Sequence, residues 1–170
     1  MRLDGESLQI SGSAPGSSQV RLATPEGKAL FAEADAKGGW RLATPRGSQP
    51  QIYGLSATGG GRTVQSEGYL LLTPDGEAAL LRAGTGALRV GRTGKNDLDA
   101  VDFDREGGAV VSGRRQIDVF GDATENPVEI EATPAAALSS GPFRAAAVAA
   151  GLRVDWMTPG GGVQSTILLK

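Results

Sequence analysis

These 170 residues read as an all-β protein, two small β-sandwiches in tandem joined by a hairpin and linker, on three grounds. The first is an internal repeat. Ser11-Gly12 recurs as Ser112-Gly113, and Gly59-Gly60-Gly61 as Gly160-Gly161-Gly162, both 101 positions on. The second is a succession of short alternating apolar runs between Gly/Pro turns, the pattern of a sandwich. The third is composition. The chain has 26 Gly and 9 Pro beside 39% hydrophobic residues, which suits many short strands better than helices.

The order of features between the markers repeats as well. Gln19-Val20 corresponds to Gln116-Ile117, Gly39-Trp40-Arg41 to Pro142-Phe143-Arg144, Gly54-Leu55 to Gly151-Leu152, and Val64-Gln65-Ser66 to Val163-Gln164-Ser165. Local offsets run from 97 to 103, as expected when loops change length and strands do not. A unit of this length is a whole small domain, since solenoid repeats span about 20–50 residues. The expected boundaries are 1–74 for the first sandwich, 75–95 for a hairpin and linker, and 96–170 for a second, degenerate sandwich.

In the first unit, Ser7 to Ile10 places Leu8 and Ile10 on one face, and Ala14-Pro15-Gly16 turns the chain. Gln19 to Ala23 turns Val20 and Leu22 inward before the turn Pro25-Glu26-Gly27. Lys28 to Ala34 is a less regular strand carrying Leu30 and Phe31, and the turn 35–39 leads into Trp40-Arg41-Leu42. Gln51 to Ala57 and Thr63 to Leu72 close the unit as two strands about the first glycine triplet. That triplet, like the second, is expected to be a hairpin loop needing positive φ; neither precedes Lys-Ser/Thr, so neither is a phosphate loop.

Pro74-Asp75-Gly76 opens a segment with no counterpart in the second unit. Glu77 to Ala83 and Ala87 to Val90 flank Gly84-Thr85-Gly86 and predict a hairpin, the alternative being a short helix over 77–82. In the second unit Ala145 to Ala150 has helix propensity, but the repeat aligns Phe143 to Val148 with the Trp40 strand and predicts a strand.

Ser11-Gly12-x-Ala14-Pro15-Gly16-x-x-x-Val20, followed by Ala34-Asp35-x-x-Gly38-Gly39-Trp40-x-Leu42, resembles bacterial immunoglobulin-like domains. Those domains share a Pro-Gly turn between strands and an Ala-Asp-x-x-Gly-x-Trp hairpin. The resemblance covers about the first 72 residues and reaches 98–170 through the repeat, where Phe143 replaces the tryptophan. It implies two tandem immunoglobulin-like sandwiches with Trp40 and Phe143 in their cores. It also implies an extracytoplasmic spacer, adhesive module or assembly subunit, and no catalytic residue.

Composition narrows the chemistry. Histidine and cysteine are both absent, which removes disulfides, thiolate metal sites, thiol nucleophiles and the Ser-His-Asp arrangement. A net charge of −2 makes no electrostatic case for nucleic acid. The longest apolar run, 145–150, is far short of the roughly 20 residues of a membrane-spanning helix, so membrane insertion is not expected. No signal-peptide pattern follows Met1-Arg2-Leu3-Asp4, so the protein is expected to be cytoplasmic or to have lost a leader or flanking region.

Three groups of residues are candidate sites. Asp97, Asp99, Asp102 and Asp104 gather carboxylates at the junction of the units and can ligate calcium, which takes 6–8 oxygens; the alternative is a solvated strand whose charges guard an edge. No other cofactor is expected. Tyr53, Tyr69 and Trp156 can stack on sugar rings if exposed, or else pack in the cores. Leu80, Leu81, Leu88 and Val90 are too apolar for an idle linker and must be covered by the neighbouring sandwich or by another subunit. The expected function is a non-enzymatic structural or interaction module of a bacterial envelope, periplasmic or at the surface, acting through a protein partner or self-association. The alternative is a carbohydrate-binding module for cell-wall or surface polysaccharide. An apolar patch or an unpaired edge strand would favour the first, and coplanar exposed aromatics the second.

Overall fold

A computed structural model of the chain describes residues 2–4, 7–84, 86–90, 98–104, 108–113, 138 and 141–170. Among these residues every regular element is a strand. In chain order the first seven are β1 (Arg2–Asp4), β2 (Ser7–Ser13), β3 (Gln19–Ala23), β4 (Ala29–Glu33), β5 (Gly39–Pro45), β6 (Gln51–Gly59) and β7 (Arg62–Leu72). The rest are β8 (Ala78–Arg82), β9 (Leu88–Val90), β10 (Leu98–Phe103), β11 (Ala109–Gly113), β12 (Phe143–Val148), β13 (Gly151–Met157) and β14 (Val163–Leu169). They form three antiparallel sheets, ordered β1-β2-β5, β4-β3-β6-β7-β8-β9 and β11-β10-β14-β13-β12.

The sheets stack as three layers with the six-stranded one in the middle. Between the first and middle sheets lies a core of Leu8, Ile10, Val20, Leu22, Trp40, Tyr53, Leu70 and Leu72. On the other face of the middle sheet, Ile52, Leu71, Ala79 and Leu81 meet Ala100, Val154, Trp156 and Leu168 of the last sheet. The alternation of strand side chains makes this two-sided packing possible. Leu70 and Leu72 point to one core, and Leu71 between them points to the other. A third cluster of Val101, Phe103, Ile167 and Leu169 lies on the far face of the last sheet.

The segment 75–90, expected as a hairpin, is one. Its first strand continues the middle sheet, β7 pairing with β8 from Gly68↔Arg82 to Leu72↔Ala78. The hairpin is therefore built into the sheet, while the linker residues 91–95 lie outside the described ones. The alanine-rich stretch is a strand as the repeat predicts, with β12 held to β13 from Phe143↔Trp156 to Val148↔Gly151. Six residues of ladder outweigh a helix propensity worth a few tenths of a kcal/mol per residue. The hairpins β6–β7 and β13–β14 fall at matching places of the sequence repeat. Their neighbours do not correspond: β5 pairs with β2 in the first sheet, whereas β12 pairs with β13. The repeat pairs Gln19-Val20 with Gln116-Ile117, which lie outside the described residues.

Turn chemistry recurs through the chain. Thr24, Asp35, Thr73 and Thr158 each open a five-residue turn in which their N–H donates to the carbonyl of residue i+4 and their own carbonyl accepts from the glycine at i+3. Those glycines, Gly27, Gly38, Gly76 and Gly161, all have φ between 83° and 88°, so the three-residue loop with a left-handed third position is their common form. The opening side chain caps the turn: Asp35 Oδ1 accepts from Lys37 N at 2.8 Å and Gly39 N at 2.9 Å, and Thr73 Oγ1 from Glu77 N at 3.0 Å. The two glycine triplets, expected to be equivalent, make different turns. Gly60 and Gly61 form a two-residue loop between Gly59 and Arg62, both with positive φ, while Gly160–Gly162 completes the turn opened by Thr158.

Trp40 is buried in the first core, and its ring lies against β2 because Gly12 has no side chain; a Cβ at Gly12 would sit 2.7 Å from Trp40 Cζ2. The glycine of the first Ser-Gly, Gly12, leaves the space this indole occupies. Truncating it leaves a cavity that flanking strands cannot refill. Trp40→Ala is expected to lower unfolding stability by about 3–5 kcal/mol in urea titration followed by far-UV circular dichroism. A loss within about 0.5 kcal/mol, the range of surface sites, would show that the indole does not support the core.

Candidate functional site

The first sheet leaves part of β2 open. On one side β2 pairs with β5 along its whole length, Ser7 to Ser13. On the other it pairs with β1 only at Ser7, Leu8 and Gln9. Among the described residues the edge Ile10-Ser11-Gly12-Ser13 therefore has no strand beside it.

Next to this edge the middle sheet extends beyond the cover of the first. The result is an apolar cleft of about 370 Å³ whose walls include Ile10, Trp40, Leu55, Leu70, Leu80 and Val90. No ionisable side chain lines it. Val64 at its mouth is 55% exposed. Leu88, paired with Leu80 on the same face of the sheet, is 52% exposed.

The four apolar residues singled out in the hairpin thus divide by strand alternation. Leu81 is fully buried against the last sheet, so it is not available to a partner. Leu80 and Val90 are half-buried at the cleft, and Leu88 is exposed. The last sheet covers one face of the hairpin, and on the other Leu80 and Val90 line the cleft. The open edge of β2 has no hydrophobicity signal; only the pairing register reveals it.

The aromatic candidates lie inside. Trp156 is fully buried and donates its indole N–H to Thr166 Oγ1 at 3.0 Å, and Tyr53 is 4% exposed with its hydroxyl on Gln51 Oε1 at 2.7 Å. Tyr69 is half-buried and meets Trp156 edge-on, the ring centroids 5.8 Å apart. Tyr53 and Trp156 have no face open to a sugar, because Tyr53 packs in the core between the first and middle sheets and Trp156 in the core between the middle and last.

The acidic run also separates. Asp97 lies outside the described residues. Asp99 is buried at an irregularity in the pairing of β10, between Leu98 and Ala100. Asp104 is exposed beyond the end of β10 and accepts Gly108 N–H at 2.7 Å. Asp102 is 2% exposed and wholly engaged: Thr166 Oγ1 donates to its Oδ1, and Ala87 N–H to its Oδ2 at 2.7 Å. Among the described residues no three acidic side chains come close enough to hold a metal ion. β10 ends at Phe103, so Asp104 does not continue the strand face of Asp102.

Asp102 instead links the two layers. Ala87 belongs to the loop of the middle sheet's hairpin, Thr166 to β14, and Ser112 Oγ of β11 donates back to Ala87 O at 2.7 Å. A second link uses Arg89, whose guanidinium donates to Leu169 O at 2.6 Å and to Glu77 Oε2 at 3.1 Å. Burial raises the Asp102 pKa above the ordinary carboxylate value, against the opposing effect of its hydrogen bonds from Thr166, Ala87 and Gln164.

No family model matches the chain, and no curated protein or solved structure matches it either.

A raised folded-state pKa means that the carboxyl group's contribution to stability is complete below its unfolded pKa of about 3.9 and is lost as pH rises through the higher folded value. Asp102→Asn removes this ionisation while keeping an acceptor for Ala87 N–H and a polar contact to Thr166. Urea unfolding from acidic to neutral pH is therefore expected to favour the variant over the parent increasingly as pH rises. A difference independent of pH would mean that Asp102 titrates alike in both states.

Proposed function

We propose that this protein is a non-enzymatic structural and interaction module of a bacterial envelope or surface assembly, immunoglobulin-like in character, which works by contact with another polypeptide. One observation carries this reading: an apolar cleft without ionisable residues opens beside an unpaired stretch of β2. Open sheet edges and exposed apolar surface are what a protein needs to hold an extended segment of a partner, the backbone supplying affinity and the pockets specificity. Large apolar side chains such as Leu88, kept half in water, lower solubility unless they are used. The lack of histidine and cysteine agrees with a role in contact. The envelope assignment rests on the resemblance of residues 11–42 to bacterial immunoglobulin-like domains. The paired hairpins β6–β7 and β13–β14 support a tandem origin for the two units.

The chain has no cysteine, so a single introduced thiol reports from one place. Leu88→Cys, paired with Leu80 of the cleft, and Glu26→Cys, on the exposed β3–β4 turn, are each labelled with a photoreactive crosslinker in the native host. The expected result is a product of one defined mass from position 88 and none from position 26. Equal crosslinking from both positions, or none from position 88, would reject the cleft as the contact surface.

A further inference from the structure

Exposed sheet edges are normally guarded by charge, proline or shortness, because an open row of N–H and C=O groups will pair with another strand. The outer strands of the three sheets follow this rule with one exception among the described residues. β4 exposes Glu33, β5 Arg41 and β12 Arg144, while β1 and β9 are three residues each. The remaining outer strand, β11, reads Ala-Val-Val-Ser-Gly and has no charge. It also exposes Val110 at 39% and Val111 at 53%. The open stretch of β2, Ile10-Ser11-Gly12-Ser13, is likewise uncharged.

We propose that these two unguarded edges are partners, β11 of one copy adding along Ile10–Ser13 of a second copy. Three features fit this occupant. A cleft with no ionisable lining would leave any charge inserted into it desolvated and unpaired, which disfavours a charged occupant. β11 is the outer strand that brings none. The lengths agree, five residues of β11 facing the four unpaired residues of β2. Val111 is the more exposed of the two valines. It points away from the Gly86–Ala87 loop, beside which Val110 and Ser112 lie. It enters the cleft beside Trp40 and Leu80, while β11 stays anchored to its own molecule through β10.

The contact is heterologous. Each copy uses its β11 on one neighbour and keeps its own cleft for another, so the association is head-to-tail and open-ended unless the geometry closes a ring. This inference rests on the contact reading above and adds the identity of the partner.

Sedimentation over a concentration series tests it with two variants at exposed positions, which preserve the fold. Val64→Lys places a charge at the cleft mouth and leaves β11 intact. Val111→Lys places one on β11 and leaves the cleft intact. The parent is expected to grow in mass with concentration, and each variant alone to remain a monomer. An equimolar mixture of the two should give one-to-one pairs and nothing larger, since only one productive contact is left. A parent that stays monomeric overturns the self-pairing. So does a Val64→Lys chain that still associates, which would mean that β11 pairs with itself, or a mixture that forms no pairs. If the parent is monomeric while position 88 still crosslinks to a different polypeptide, only the identity of the partner has failed. If neither occurs, the contact reading fails as well.

Discussion

The middle sheet is apolar on both faces, and the arrangement of the other two follows from that. An antiparallel sheet commonly leaves one face to water, with polar and apolar residues alternating. Here Tyr69-Leu70-Leu71-Leu72 and Ala78-Ala79-Leu80-Leu81 run without a polar interruption through two adjacent strands. Leu70, Leu72 and Ala78 need cover on one side, and Leu71, Ala79 and Leu81 on the other. At roughly 1.5–3 kcal/mol for each large apolar side chain removed from water, neither face can be left open. The first sheet covers one and the last sheet the other.

A two-sided core brings polar groups into dry surroundings, and the way they are satisfied fixes how the layers sit. The hairpin loop at Ala87 has a backbone N–H that the last sheet must accept, and Asp102 does so. Thr166 joins the same carboxylate to the Trp156 indole. Hydrogen bonds to charged groups contribute about 1.5–3 kcal/mol each, and a buried donor left without its acceptor costs a similar amount. Arg89 does the corresponding work at the far end of the hairpin, reaching Leu169 O and Glu77. Apolar burial brings the layers together, and these directional contacts select one register among many of similar area.

Cover on the first side is incomplete, and the candidate site lies where it fails. β1 pairs with only three residues of β2, so the three-stranded sheet stops short of the overhang formed by β7, β8 and β9. The cleft is thus a consequence of sheet widths, three strands set against six. The two-sided hairpin that requires the last sheet on one face also presents Leu80, Leu88 and Val90 on the other. The buried core and the candidate site draw on the same pair of strands.

Much of this was legible in the residues. Turns written as Thr or Asp with glycine three positions later need a left-handed residue and a capping side chain whatever surrounds them, so they mark hairpins along the chain. The alternation around Val20 and Leu22, the strand nature of 143–148 and the core role of Trp40 follow from local pattern and from the repeat. Local pattern does not say which strands become neighbours. β5 and β12 align in sequence yet lie in differently built sheets, because pairing is decided by distant partners. Asp102 reads as a solvated or metal-binding carboxylate, and Trp156 and Tyr53 as rings that could face sugar or core, until the layers close over them. Burial belongs to the assembled layers, since one residue type can face water or core with the same neighbours in sequence. The open edge of β2 is likewise a property of the assembly, for an unpaired backbone differs from a paired one in nothing but what lies beside it.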